Sequence, residues 1–288
     1  MNNPNRSRWM LIGSMTIFGT IGIFVRNVPI PSGELALCRA VMAAVFLGGY
    51  LLLTKQPIRL SAIRKELPLL LFSGLALGIN WILLFEAYKF TTVSTATLSY
   101  YFAPVIVTAL CPVIFREKLT GKQIFCFLMS TLGLVMITGV ETVSGGTEIK
   151  GILFGLSAAV FYACVILLNK RIRNTQAIHR TFVQFLGAVI TLAPYVALTG
   201  GFHLKELDTS GWANLLILGI VHTGIAYCLY FSSLKNLPGQ KAAILSYIDP
   251  LVAVAVSVSI LGEPLGLWQI LGGSLILGFT LVNEISEK

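Results

Sequence analysis

Five polar side chains lie inside long apolar stretches, and their types define the chemistry open to this chain. Glu86 and Asp249 carry carboxylates, which bind ammonium groups or carry protons. Arg39 carries a guanidinium suited to a carboxylate, His222 an imidazole suited to proton relay or anion binding, and Asn80 an amide. A charge inside a membrane span costs about 2.5–3.5 kcal/mol on insertion scales, so each ionisable residue is a substrate-binding candidate by default. Asp249, Glu86 and His222 are also the candidates for proton coupling.

Each has a structural alternative. Lys89 follows Glu86 at i,i+3 on one helical face and can pair with it while snorkelling to the interface. Arg39 either pairs with Glu34 or Glu86 or meets a substrate carboxylate. His222 has no HxxxH or HExxH companion, so a metal is not indicated, and a satisfied core histidine stands level with proton relay or anion binding. No cofactor motif accompanies these residues. The absence of GxxxxGK[ST] leaves ATP hydrolysis by this chain unsupported.

Aromatic and proline residues extend the candidate set. Trp81 and Tyr88 share a helical face, while Ser94, Thr97 and Tyr101 fall within about 60° of one another at ~100° per residue. Such rings suit a flat or amphiphilic ligand, although aromatics in spans mostly pack or anchor at interfaces. Tyr247 leads a corresponding stripe with Gln240 and Ala243. Asp249 points roughly 160° away from Tyr247 unless Pro250 distorts the helix. Pro104 and Pro250 deprive the carbonyls of Tyr100 and Ser246 of helical partners, which predicts kinks and a gating role. Carbonyls freed at that depth are tolerated only against protein or a water-filled cavity. Asp249 at such a kink either hydrogen-bonds the kink together or serves a substrate amine or a proton.

The elements that hold these residues are membrane helices. Of 288 residues, 56% are apolar and 11% charged, about half the charge of a soluble domain. Apolar runs of spanning length predict ten helices, at 8–26, 33–54, 67–89, 94–115, 121–140, 149–169, 178–198, 211–234, 240–261 and 266–284. The fold class is therefore an all-α integral membrane protein. The net charge of +9 does not indicate nucleic acid, because the basic residues concentrate on alternate loops. The positive-inside rule then predicts cytoplasmic termini in a multi-pass protein of the inner or plasma membrane. Cys38, Cys111, Cys126, Cys164 and Cys228 all fall within spans and read as small packing residues.

The chain is also an internal duplication. Residues 98–119, LSYYFAPVIVTALCPVIFREKL, align without a gap to residues 244–265, ILSYIDPLVAVAVSVSILGEPL. Tyr101 meets Tyr247, Pro104 meets Pro250, and Glu117 meets Glu263. Phe18-Gly19 of the first span matches Tyr162-Ala163 of the sixth, so the first span belongs to the repeat and is not a removable signal. Five helices per repeat is an odd number, so the second copy must enter the membrane from the opposite side. Inverted repeats of this kind are a recurring transporter construction with a site at the midplane.

A proline in the fourth helix, Glu-x-Leu at its end and a Gly-rich fifth helix follow in both halves: Pro104 with Glu117-Lys118-Leu119, and Pro250 with Glu263-Pro264-Leu265. This pattern resembles the EamA family of the drug/metabolite transporter superfamily, over essentially the full length. The resemblance implies a first repeat at 1–141 and a second at 149–288. It also implies secondary transport of small metabolites, often export of amino acids or related compounds, through a cavity formed by spans 1, 3, 4, 6, 8 and 9.

Comparing the copies separates frame from site. Features shared by both halves, including Glu117 and Glu263, read as scaffold or gate. Polar residues present in one copy only read as substrate contacts. Glu86 faces Ser232, Asn80 faces Ala226, His222 faces Ala76, Asp249 faces Ala103 and Arg39 faces Gln184. Gly74 and Gly78, Gly151 and Gly155, and Gly272 with Gly273 are expected to pack helices closely in a monomer or homodimer. The rival readings are a small-solute channel and, remotely, an intramembrane serine hydrolase built on Gly155-Leu156-Ser157 with His222 as base.

Overall fold

The computed structural model describes residues 4–56, 58, 63–115, 120–141, 147–172, 174–199, 201–234 and 245–285. Glu117, Lys118, Leu119, Gln240, Ala243 and the side chain of Pro104 lie outside the described residues. Among those described the fold is all helical, with no strand. In a bilayer only structures that satisfy their own backbone groups survive, and helices do so within one segment. Six helices are long and apolar enough to cross a membrane, and four further apolar helices are shorter.

Helix α1 covers Pro4–Gly19 and α2 covers Ile21–Arg26, so the first apolar segment is broken at Thr20. α3 is Ser32–Leu53 and α4 is Leu67–Phe90. The next segment divides into α5, Val93–Tyr100, and α6, Ala103–Phe115. The side chain of Thr92 starts α5 by accepting a hydrogen bond from the Thr95 amide at 3.1 Å. Its interruption at residues 101–102 lies just before Pro104, whose missing amide donor favours a break there. α7 covers Gly121–Glu141, α8 Thr147–Arg171 and α9 Ala177–Thr199.

After a 3-10 turn, α10 runs over Thr209–Gly219 and passes into a π-helical turn, Ile220–Ile225, before α11, Ala226–Leu234. The continuous helix expected over 211–234 therefore carries a π turn. Short wide turns of this type are rare and cluster at functional sites. α12 covers Ile248–Ser259, following a turn at Tyr247 beside Pro250, and α13 covers Leu267–Ile285.

The core centres on α4, which packs against α8 and α9, with α9 also covering α3. Across from it, α1 packs against α11 and α12, while α5 lies between α8 and α12. α7 and α13 pair with each other at the side of this group. Gly19 sets the α1–α12 contact. A Cβ there would stand 2.6 Å from both the Asp249 carbonyl oxygen and the Val252 Cβ. Gly74 likewise lets α4 meet the α9 backbone, since a Cβ would lie 2.4 Å from the Gln184 carbonyl. The glycine spacings read from sequence thus serve contacts between helices of this chain.

Candidate functional site

Where the broken helices meet, α1, α3, α4, α5, α8, α11 and α12 enclose a cavity of about 210 Å³. This is below the ~300–1,000 Å³ of pockets for drug-sized ligands, so the space suits a small metabolite. Six tyrosines line it: Tyr88, Tyr100, Tyr101, Tyr162, Tyr227 and Tyr230. Their rings interlock, with Tyr100 edge-on to Tyr101 at 5.9 Å and tilted on Tyr162 at 5.3 Å. Rings in these arrangements form a stiff wall with few rotamers and polar tips.

Two charged residues share this aromatic wall. Asp249 accepts a 2.7 Å hydrogen bond from the Tyr101 hydroxyl. That bond reaches across 148 residues and joins the fourth apolar segment to the ninth. Arg39 enters from α3 with only 3% of its surface exposed. Its guanidinium sits 4.6 Å from the centre of the Trp81 ring and 5.5 Å from that of Phe85. Its Nε donates to the Thr223 hydroxyl at 3.2 Å. Stacking on aromatic faces partly offsets the cost of burying this cation. Neither Glu34 nor Glu86 is its partner, contrary to the structural alternative drawn from sequence. Glu34 accepts bonds from the His203 amide at 2.9 and 3.0 Å, and Glu86 pairs with Lys89.

The remaining candidates are distributed around the cavity. Trp81 lines it beneath Arg39. Glu86, expected to face the centre, does not reach it. Lys89 Nζ lies 2.9 Å from its Oε1, and both residues line a wider vestibule of about 880 Å³ with Arg26 and Pro29. The i,i+3 spacing explains the pairing, because it puts both side chains on one face of the last turns of α4. Tyr88 lines both spaces and stands between them.

Asn80 is fully buried and donates from Nδ2 to the Ala158 carbonyl at 2.7 Å, tying α4 to α8. His222 is also buried and lies behind the cavity wall. Its Nδ1 donates to the Ile217 carbonyl at 3.3 Å, its Nε2 meets the Thr20 hydroxyl at 2.9 Å, and its ring tilts on Phe24. Tyr247 does not line the cavity, whereas its neighbours Ser246 and Asp249 do. Asp249 faces inward and Tyr247 does not, as the angle between them requires.

Sequence reasoning passed over Tyr100, Tyr162, Tyr230 and Thr223. A signal for the first three was present. Phe18 and Tyr162, Trp81 and Tyr227, Leu84 and Tyr230, and Tyr100 and Ser246 are repeat-equivalent pairs, and all eight residues line the cavity.

At the vestibule, one ion pair draws several helices together. Arg26 at the end of α2 binds Glu263, and also donates to the carbonyls of Tyr88 at 3.2 Å and Thr91 at 2.7 Å. Glu263 in turn accepts from the Val93 amide at 2.9 Å and from the Ser257 hydroxyl. A carboxylate at the N-terminus of α5 is favoured by the helix dipole as well as by these bonds. The shared glutamate, read from sequence as scaffold or gate, therefore ties together the ends of α2, α4, α5 and α12.

Apolar helices of membrane-spanning length around an enclosed, aromatic and charged cavity define a multi-pass membrane protein of the solute-transporter class. The sequence matches the EamA-like transporter family twice, over residues 6–139 and again over 149–283, and the chain belongs to that family. It is similar to the "Uncharacterized transporter YxxF" of Bacillus subtilis (strain 168), with 34% identity over 279 residues, covering 95% of this chain and 89% of the relative. It is 27% identical to a "Probable amino-acid metabolite efflux pump" of Salmonella typhimurium over 81% of this chain and 82% of that protein. A solved crystal structure shares the fold with a TM-score of 0.66 at 17% identity, covering 97% of both chains. Family and relatives are transporters, not enzymes.

Proposed function

We propose that this protein is a secondary transporter that exports an amino acid or a close zwitterionic analogue by alternating access. The observation that carries the reading is the presence of Arg39 and Asp249 on one small cavity walled by tyrosines. Arg39 takes the substrate carboxylate, Asp249 takes its ammonium group, and the Trp81 and tyrosine rings hold the side chain. Neither charge has a repeat counterpart, as a chemically asymmetric substrate demands. The similarity to a protein named as an amino-acid metabolite efflux pump points the same way.

In this reading ten spans form two inverted five-helix repeats, over 1–141 and 149–288, in the cell membrane with both termini cytoplasmic. The packing supports it: the repeat relates α1 to α8 and α4 to α11, so the α4–α8 and α1–α11 contacts are equivalent to each other, and four repeat-equivalent residue pairs line the cavity. A pseudo-two-fold axis through the cavity accounts for both, and lets the halves exchange shapes around one site. The Tyr101–Asp249 pair is the place where a proton would compete with the substrate amine. Glu86 and Lys89 contribute through the vestibule that the substrate crosses.

Counterflow in proteoliposomes tests the proposal with a panel of amino acids. Preloading the unlabelled substrate should accelerate uptake of its labelled form, and esters or deaminated analogues should compete poorly. Flux without counterflow would identify a channel instead. Absence of amino-acid transport across the panel would overturn the assignment.

A further inference from the structure

The π turn at Ile220–Ile225 lies behind the cavity wall and belongs to neither the charge pair nor the aromatic cage. Widening a helix by one residue shifts its backbone bonds off the i,i+4 register, and here two consecutive side chains donate to carbonyls of the preceding turn. The Thr223 hydroxyl donates to the Leu218 carbonyl at 2.8 Å, and His222 Nδ1 donates to the Ile217 carbonyl at 3.3 Å, both five residues back. With its proton committed to Leu218, the Thr223 oxygen can only accept, and it accepts from Arg39 Nε at 3.2 Å. The same turn holds His222 against Thr20, at the break between α1 and α2.

An arginine has a flexible stem and its guanidinium a fixed planar fork, so its use as a carboxylate clamp depends on what orients that plane. Trp81 and Phe85 limit the guanidinium to positions over their faces but leave it free to turn within its plane. A single acceptor at Nε removes that freedom and presents the other edge, with both terminal nitrogens, to the cavity.

We propose that Thr223 is a positioning residue for specificity, holding Arg39 so that the cavity selects a carboxylate over an uncharged amide or ester. This rests on the reading of Arg39 as the carboxylate contact. The π turn is the device that supplies the oriented acceptor, because it moves the Thr223 hydroxyl into a bond with a carbonyl that a regular turn would occupy with an amide.

The test measures binding of each amino acid of the counterflow panel and of its amide, L-phenylalanine and L-phenylalaninamide among them, to the purified full-length protein by isothermal titration calorimetry. Wild type should prefer the amino acid by about tenfold or more, the range expected for a charge-assisted hydrogen bond. Thr223→Val should lose most of that preference, and Thr223→Ser should restore it. A monodisperse size-exclusion profile with a wild-type unfolding temperature reports that the valine variant has folded. If Thr223→Val keeps the full preference, the positioning role is overturned while the Arg39 reading stands. If wild type distinguishes no amino acid of the panel from its amide, or binds none of them, the Arg39 reading falls and the positioning role with it.

Discussion

The two charges on the cavity, Arg39 and Asp249, differ in how they are held, and this sets what their replacement should do. Arg39 stacks on Trp81 and is oriented by Thr223, so a lysine keeps the charge but loses both the planar fork and the stack. Arg39→Lys should lower transport at least tenfold with little loss of folded protein, read as initial uptake rates against yield on size-exclusion chromatography. Asp249→Asn keeps the shape and the Tyr101 partner but removes the charge, and should abolish transport of amine-bearing substrates. Tyr101→Phe removes one hydrogen bond to a charged group, worth about 1.5–3 kcal/mol, and should weaken substrate binding without eliminating it. Glu86→Gln should have a smaller effect than either, since its carboxylate pairs with Lys89 at the vestibule.

Helix contacts decide whether these residues meet, and glycine positions test them. Gly19 brings α1 against α12 beside Asp249, where a methyl group would collide with the Asp249 carbonyl oxygen. Gly19→Ala should cost about 1–3 kcal/mol by overpacking, measured as a lower unfolding temperature in detergent, and should also impair transport. Gly13 on the same helix has nothing within 4 Å of its added Cβ, so Gly13→Ala should leave both properties intact. Asn80 acts at the same scale. Its bond to the Ala158 carbonyl fastens α4 to α8, so Asn80→Ala should lower stability by about 1–2 kcal/mol, read in the same unfolding assay. The proline breaks were readable from sequence because each proline lacks an amide. The break at Thr20 and the π turn were not, because both rest on local bonds from ordinary helix residues, Thr20 to the Ile17 carbonyl, Thr223 to Leu218 and His222 to Ile217, which carry no breaker signature in sequence.

For the whole molecule, the Arg26–Glu263 pair joins the two family-matched halves beside the vestibule, and the proposed alternating access requires it to open for passage on that side. Arg26→Ala or Glu263→Gln removes the ion pair and weakens the cap on α5. In a cysteine-free background with one cysteine at Leu84, either substitution should speed labelling by a membrane-impermeant maleimide applied from the vestibule side. Equal labelling rates would show that the pair does not control access. Composition and the 98–119/244–265 duplication alone determined a membrane protein built from a repeat, since apolar run length and sequence identity need no third dimension. They also ranked Asp249 and Arg39 as candidates, because a charge in a span is costly wherever it faces. Only the tertiary structure decided that these two share a cavity while Glu86, His222 and Asn80 lie outside it. Helical periodicity fixes which residues share a face of one helix, but the packing of the other helices decides what that face meets.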